Sequence, residues 1–265
     1  MVLSVVLKCI YPPPASAVVS AMTAISFLSM CNAGYMESKG KHMKYSKLWS
    51  QADHEKEKSK IPSKKGMFLV YTPAFLAGFA SLFLFPDGDF RFTLLRLCVT
   101  THFFKRVLEV LFVHRFSGWM DLEAAITISL SYFLSSTTII YAQHLTQGLP
   151  EPEFDLKYVG ILLFLLGISG NLYHHYLLSK LRSEGEKQYK IPRGGLFNKV
   201  ICPHYLFEIV VFLGISCVSQ TLYSCALASG ISFYLMGRSY ATKKWYESKF
   251  EDFPKDVKAL VPYIF

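Results

Sequence analysis

Charge is the first thing this sequence is short of. Only 18% of its 265 residues are Asp, Glu, Lys or Arg, and these gather in a few short stretches. Between the stretches the chain runs uncharged for about 20 residues at a time, the length a helix needs to cross roughly 30 Å of hydrocarbon. With 52% apolar residues and a mean hydropathy of +0.29, too little polar sequence is left to cover a soluble domain of this size. A CxxC pair is also missing. The six cysteines (Cys9, Cys31, Cys98, Cys202, Cys217 and Cys225) mostly lie in or beside apolar runs, where a free thiol packs as a small hydrophobe, so no zinc or disulfide framework is expected. GxGxxG and the P-loop are both absent, which excludes a soluble-type dinucleotide or ATP site. Of the histidines only His174 and His175 are adjacent. His42, His54, His102, His114, His144 and His204 show none of the HxxxH or HxxHH spacing that would converge on two irons, and no metal set is expected. No internal repeat or low-complexity tract stands out. The start, MVLSVVLKCIYPPP, is broken by proline too soon for a cleaved signal peptide, so the first span is expected to remain as an anchor.

What is present is a series of apolar runs: residues 15–33, 66–85, 92–113, 124–142 and 158–178. Residues 209–237 are too long for one comfortable span and suit two helices joined near 219–224, the first beginning near Tyr205. The sequence therefore predicts an all-α membrane protein, a single domain over 1–265 built as a bundle of about seven transmembrane helices. Charge bias tests that count. With seven spans, the basic stretches 37–65 and 180–199, the tail from Arg238 and the 114–123 connection share one side, while the acidic turns at Asp87/Asp89 and Glu151/Glu153/Asp155 share the other. Six spans would scatter the basic loops over both faces. The positive-inside rule places the basic side, with the C-terminus, in the cytosol. A formal net charge of +9 is then mostly topological, and nucleic acid is not needed as a partner.

Ionisable groups inside spans are expensive and usually face a bundle interior or a wet cavity. The run THFFKRVLEVLFVHR places His102, Lys105/Arg106 and Glu109 three or four residues apart, on one helical face. An intramembrane ion pair joining helices would explain them, and so would a polar cavity that receives a ligand. Asn171 and His175 share a face in the same way, with Arg182 further along; interhelical hydrogen bonding and ligand binding both remain open for them.

The stretch YKIPRGGLFNKVICPHYLFEI at 189–209 is the most specific signal in the chain, and it resembles the C-terminal catalytic domain of the steroid 5α-reductase family. That family also includes trans-2-enoyl-CoA reductases and polyprenol reductases. Further matches follow in order: GKH at 40–42, GNLYHHYLLSKLR at 170–182, Arg238, and the closing KFEDFPKDVKALVPYIF, most of the motif lying in 158–265. The YPPP start and layout look like uncharacterised plant members. The resemblance implies a multi-pass reductase of the endoplasmic reticulum membrane, holding NADPH in a cavity of the bundle capped by cytosolic loops. It would reduce a carbon–carbon double bond conjugated to a carbonyl. Cofactor positions carried over are Lys41, Asn171, His175, Arg182, Tyr189, His204, Arg238 and Tyr246, with His175 standing where steroid reductases carry Asp, His204 where they carry Asn, and Thr242 where they carry His. Basic loops suit a dinucleotide with a 2′-phosphate, and Gly194-Gly195 would let the backbone approach a ligand closely.

Hydride transfer to the carbon β to the carbonyl leaves an enolate that needs a donor at its oxygen. Steroid reductases use a Glu in the second span and a Tyr after a His in the third. Here Tyr71 stands at the Glu and Phe103, after His102, at the Tyr. Tyr71 and His102 are therefore the catalytic candidates. The expected activity is of the 3-oxo-5α-steroid 4-dehydrogenase type. One alternative is very-long-chain trans-2-enoyl-CoA reduction, to which HFFKRVLEVLFVHRFS at 102–117 points, although with a first span beginning near residue 15 the ubiquitin-like N-terminal domain typical of that branch is not expected. Another is a catalytically inactive member that binds lipid or cofactor. Similarity to an isoprenylcysteine-type methyltransferase is confined to Cys202-Pro203-His204-Tyr205. On the main reading the partners are a hydrophobic lipid substrate, membrane lipids and, in association, other lipid-synthesis enzymes.

Overall fold

The computed structural model of the chain describes residues 7–43, 45, 48, 59–181 and 188–265. Among these are seven α-helices: α1 (Ala17–Ser38), α2 (Ser63–Leu84), α3 (Phe90–Leu108), α4 (Leu122–His144), α5 (Lys157–Lys180), α6 (Pro203–Ser219) and α7 (Leu222–Lys249). α1, α2, α4 and α5 are long and apolar enough to cross a membrane, and α6 is a shorter apolar helix. The chain is an all-α membrane protein. Its strands, among the described residues, are two short pieces, β1 (Lys60–Pro62) and β2 (Trp119–Asp121), paired antiparallel at the basic end.

Local chemistry explains where the helices begin. Ser16, Asp89, Asp121 and Thr221 each accept a hydrogen bond from a backbone N–H of the first turn that follows, at 2.7–3.3 Å, for α1, α3, α4 and α7. Pro203 opens α6 at a position where its missing N–H costs nothing. Pro73, inside α2, cannot donate to the carbonyl of Leu69. The hydroxyl of Ser129 fills that vacancy at 2.9 Å, so the interruption in α2 becomes a bond to α4. α1 and α7 pack at Gly34 and Gly237. A Cβ on Gly237 would sit 2.0 Å from the Gly34 carbonyl oxygen, so glycine is what brings the two backbones together.

Two observations differ from the pattern read in the sequence. The run 92–113 is α-helical only to Leu108 and then widens into a π-helical stretch, Glu109–Val113. α7 continues past residue 237 to Lys249, which carries Arg238 and Tyr246 on one rigid helix.

The acidic loops form one end of the bundle. The buried Arg91 guanidinium donates to the carbonyl of Val218 at 2.8 Å, to Gln220 Oε1 at 2.9 Å, to Asp155 at 2.6 Å and to Glu151. Gln220 in turn donates to the carbonyls of Cys9 and Phe154, tying the N-terminal segment into the knot. Partial burial opposes ionisation of Asp155, but hydrogen bonds from Lys157 and Arg91 hold its carboxyl at about 2. At the opposite, basic end the 199–202 segment zips to the C-terminal tail. Ile201 N–H donates to Lys258 at 2.9 Å and Lys258 N–H to Lys199 at 2.9 Å. Beneath this, Ile201, Cys202, Tyr246, Phe253, Val257 and Leu260 form a core of their own.

Candidate active site

Between the helices lies a cavity of about 820 Å3, reaching from the basic end to an apolar region between α1 and α4. A second chamber of about 290 Å3 adjoins it. The two share Leu178, Tyr189, His204, Tyr205 and Tyr246 as walls.

The polar wall grows from the charged face of α3. Arg106 donates to Glu109 Oε2 at 2.7 Å and Lys105 lies 3.0 Å from Glu109 Oε1, on the same helix. α5 adds His175, whose Nδ1 is 2.9 Å from Glu109 Oε1, and Asn171, whose Oδ1 accepts from Lys105. The Asn171 amide donates to the His204 carbonyl at 2.7 Å and to Glu208 Oε2 at 2.9 Å, both on α6. α2 adds Tyr71, whose hydroxyl accepts from Arg106 Nη2 and whose ring lies 4.6 Å from the same guanidinium. Two half-buried cations thus meet two carboxylates, the balance that makes such charges tolerable away from water. The trio Glu109, His114 and His175 brings one potential metal-ligand atom each within 4.8 Å of the others. Both Glu109 oxygens, however, are already bonded to Lys105 and Arg106.

A second buried pair stands at the smaller chamber. Arg238 on α7 donates to Glu37 Oε1 at 2.6 Å, and both side chains are nearly inaccessible. Glu37 Oε2 lies 2.6 Å from His42 Nδ1, which ties the GKH segment to the end of α1. Tyr45 lays its ring 4.8 Å from the Arg238 guanidinium and its hydroxyl 2.9 Å from that of Tyr234.

Most of the residues singled out from the sequence meet here. Tyr71, Asn171, His175, Tyr189, His204 and Tyr246 line the main cavity, and Arg238 lines the adjoining one. His102 does not reach the wall. It is buried behind it, edge-on to Phe103 and Phe212, with Nε2 3.4 Å from Glu208 Oε1. Lys41 is exposed and on neither wall, and Arg182 lies outside the described residues. The Gly194-Gly195 turn approaches α5 rather than open cavity. Gly195 has φ +51, and a Cβ there would sit 2.9 Å from His174 Nε2. His174 donates from Nδ1 to the Gly170 carbonyl and accepts the Leu196 N–H at Nε2, which fixes its tautomer and pins the loop.

Glu37, Glu208 and Tyr132 belong to this site, and the sequence alone does not single them out. Glu208 carries a signal that could have done so, because it follows His204 by one helical turn inside the most specific motif. Glu37 is an acid at the end of an apolar run, 201 residues from its partner. Tyr132 is one tyrosine in an apolar, serine-rich span, and no local pattern marks either of them.

A bundle of apolar helices whose interior holds paired charges, tyrosines and an apolar chamber belongs to the class of membrane proteins with an internal binding cavity. The family model for 3-oxo-5-alpha-steroid 4-dehydrogenase matches residues 121–265, and the chain belongs to that family of oxidoreductases acting on CH–CH groups. It is 30% identical over 217 residues to 3-oxo-5-alpha-steroid 4-dehydrogenase 2 of Macaca fascicularis and to that of Homo sapiens, covering 78% of this chain and 83% of each relative. It is 33% identical over 172 residues to the very-long-chain enoyl-CoA reductase of Dictyostelium discoideum, covering 63% of this chain and 56% of that protein.

Proposed function

We propose that this protein reduces a carbon–carbon double bond conjugated to a carbonyl in a membrane-soluble lipid, using NADPH, as a 3-oxo-5α-steroid 4-dehydrogenase does. The observation that carries the reading is the course of the cavity. It joins a tyrosine- and cation-lined region at the basic end to an apolar region dotted with serines, walled by Met22, Ile25, Met30 and Ile128. Tyr71 and Arg106 lie on the same wall.

The residues present fit an anionic dinucleotide. Arg238 supplies a fixed fork of donors for phosphate, and Tyr189 and Tyr246 offer aromatic faces beside it. When bound, NADPH supplies the hydride that goes to the carbon β to the carbonyl. The electron pair of the carbon–carbon double bond shifts to lie between the α carbon and the carbonyl carbon, and the carbonyl π pair moves onto its oxygen. A proton added at the α carbon as the carbonyl re-forms completes the reduction. Tyr71 accepts its hydrogen bond from Arg106, so its own proton is left to donate to that oxygen. The guanidinium behind it stabilises the phenol oxygen as charge develops. His102 acts through Glu208, which it faces, and not on the substrate itself. Asn171 holds α3, α5 and α6 together at the site.

The basic end and the C-terminus face the cytosol on this reading, in the endoplasmic reticulum membrane, where a soluble cofactor reaches the cavity. An acyl chain would fit the apolar region as a steroid does, and the similarity to an enoyl-CoA reductase makes a long-chain trans-2-enoyl thioester the second candidate. Purified protein in detergent will be thermally stabilised by NADPH much more than by NADH. Equal stabilisation by the two, or none, would count against the reading.

A further inference from the structure

The polar groups of the cavity wall that the proposed chemistry leaves unused include two on α4. Tyr132 lines the cavity with its ring stacked on Tyr71, centroids 5.6 Å apart at 26°. It also stands edge-on to Phe103, at 5.5 Å and 60°. The Tyr132 hydroxyl makes no hydrogen bond among the described residues, whereas that of Tyr71 is held by Arg106. One turn along the same helix is Ser136, also a lining residue, whose buried Oγ has no partner among the described residues either. A buried hydroxyl without a protein partner, as at Ser136, is costly unless something that enters the cavity satisfies it.

We infer that Tyr132 is a second catalytic residue, donating its hydroxyl hydrogen bond to the same substrate carbonyl oxygen as Tyr71. The inference rests on the ene-reductase reading and adds the chain's own solution to a gap in the site. An enolate oxygen has room for two donors, and sites that stabilise one usually supply two. His102 is too deep to be the second, and Phe103 has no hydroxyl. Stacked phenols from α2 and α4 bring two O–H groups to one part of the wall, one backed by a cation and one on a ring whose hydroxyl bonds to no described residue. No electrons pass through Tyr132. It stabilises charge that develops on the substrate oxygen, and the phenol is unchanged at the end of the cycle.

The test uses full-length protein in lipid nanodiscs with two probes, a 3-oxo-Δ4 steroid and a long-chain trans-2-enoyl-CoA. Tyr132→Phe removes one oxygen at the cavity wall and leaves the ring stack in place. It will lower kcat on the accepted probe by roughly 10²-fold and leave the Kd for NADPH unchanged. Placing Phe103→Tyr in the Tyr132→Phe background restores a hydroxyl on the neighbouring ring and will recover part of the loss. The carbonyl stretch of the bound probe, read by infrared difference spectroscopy, will move to higher frequency in Tyr132→Phe as a hydrogen bond is lost. Unchanged kcat and an unchanged carbonyl stretch in Tyr132→Phe would overturn the inference while leaving the reductase reading standing. Failure of the wild-type protein to oxidise NADPH with either probe would overturn the reading and the inference together.

Discussion

Arg106 donates to the hydroxyl of Tyr71, and Arg238 donates to Glu37; the two guanidiniums do different work. The first is matched within a network of Lys105, Glu109, Glu208 and His175 that the protein closes on itself. The second borders the smaller chamber, paired with Glu37 and facing the ring of Tyr45, and on the proposed reading it receives phosphate. Arg238→Ala should therefore weaken NADPH binding about 10- to 100-fold, the worth of a charge-assisted contact of about 1.5–3 kcal/mol. It should also lower thermal stability, because it leaves Glu37 buried without its cation. Adding Glu37→Gln should recover the stability and not the affinity, which separates the binding role from the structural one; titration of NADPH beside a melting curve checks both. Legibility at this scale follows the motifs. Asn171, His175, His204 and Arg238 can be found because they sit in ordered stretches of recognisable type. Glu37 and Tyr132 cannot, because their importance comes from neighbours on other helices. His102 is legible as polar, but only packing shows that Glu208 stands between it and the cavity.

Elements are easier to read than the contacts between them. The uncharged runs become α1, α2, α4 and α5, and Tyr205 lies close to the start of α6, because hydrophobic length is a property of the sequence itself. The widening at Glu109–Val113 is hidden, since its residues read as one continuous apolar helix. The β1–β2 pair is hidden too, each strand being only three residues long. Close helix packing depends on glycines that are ordinary in sequence. Gly237→Ala forces α7 away from α1 at the Gly34 carbonyl and should cost about 1–3 kcal/mol, seen as a fall in melting temperature. Gly118→Ala, whose added Cβ would meet nothing nearer than Ser63 Oγ at 3.7 Å, should melt close to wild type. Equal melting of the two variants would show that the α1–α7 contact is looser than described.

At the scale of the whole molecule, the separation of charge into a basic and an acidic end is what the sequence states most openly. The structure keeps the two apart: Arg91, Glu151, Asp155 and Gln220 knot one end, while the 199–202 segment and the C-terminal tail close the other. Between them the cavity connects a region fit for a charged cofactor with one fit for a lipid, and the reaction proposed is the transfer such a connection permits. The central claim is tested most directly by following the hydride. Wild-type protein in nanodiscs, given NADPH carrying deuterium at the transferable position of the nicotinamide and the lipid enone or enoyl thioester it accepts, should yield saturated product with deuterium at the carbon β to the carbonyl. Oxidation of the cofactor without deuterium in the lipid, or deuterium at any other carbon, would contradict the account.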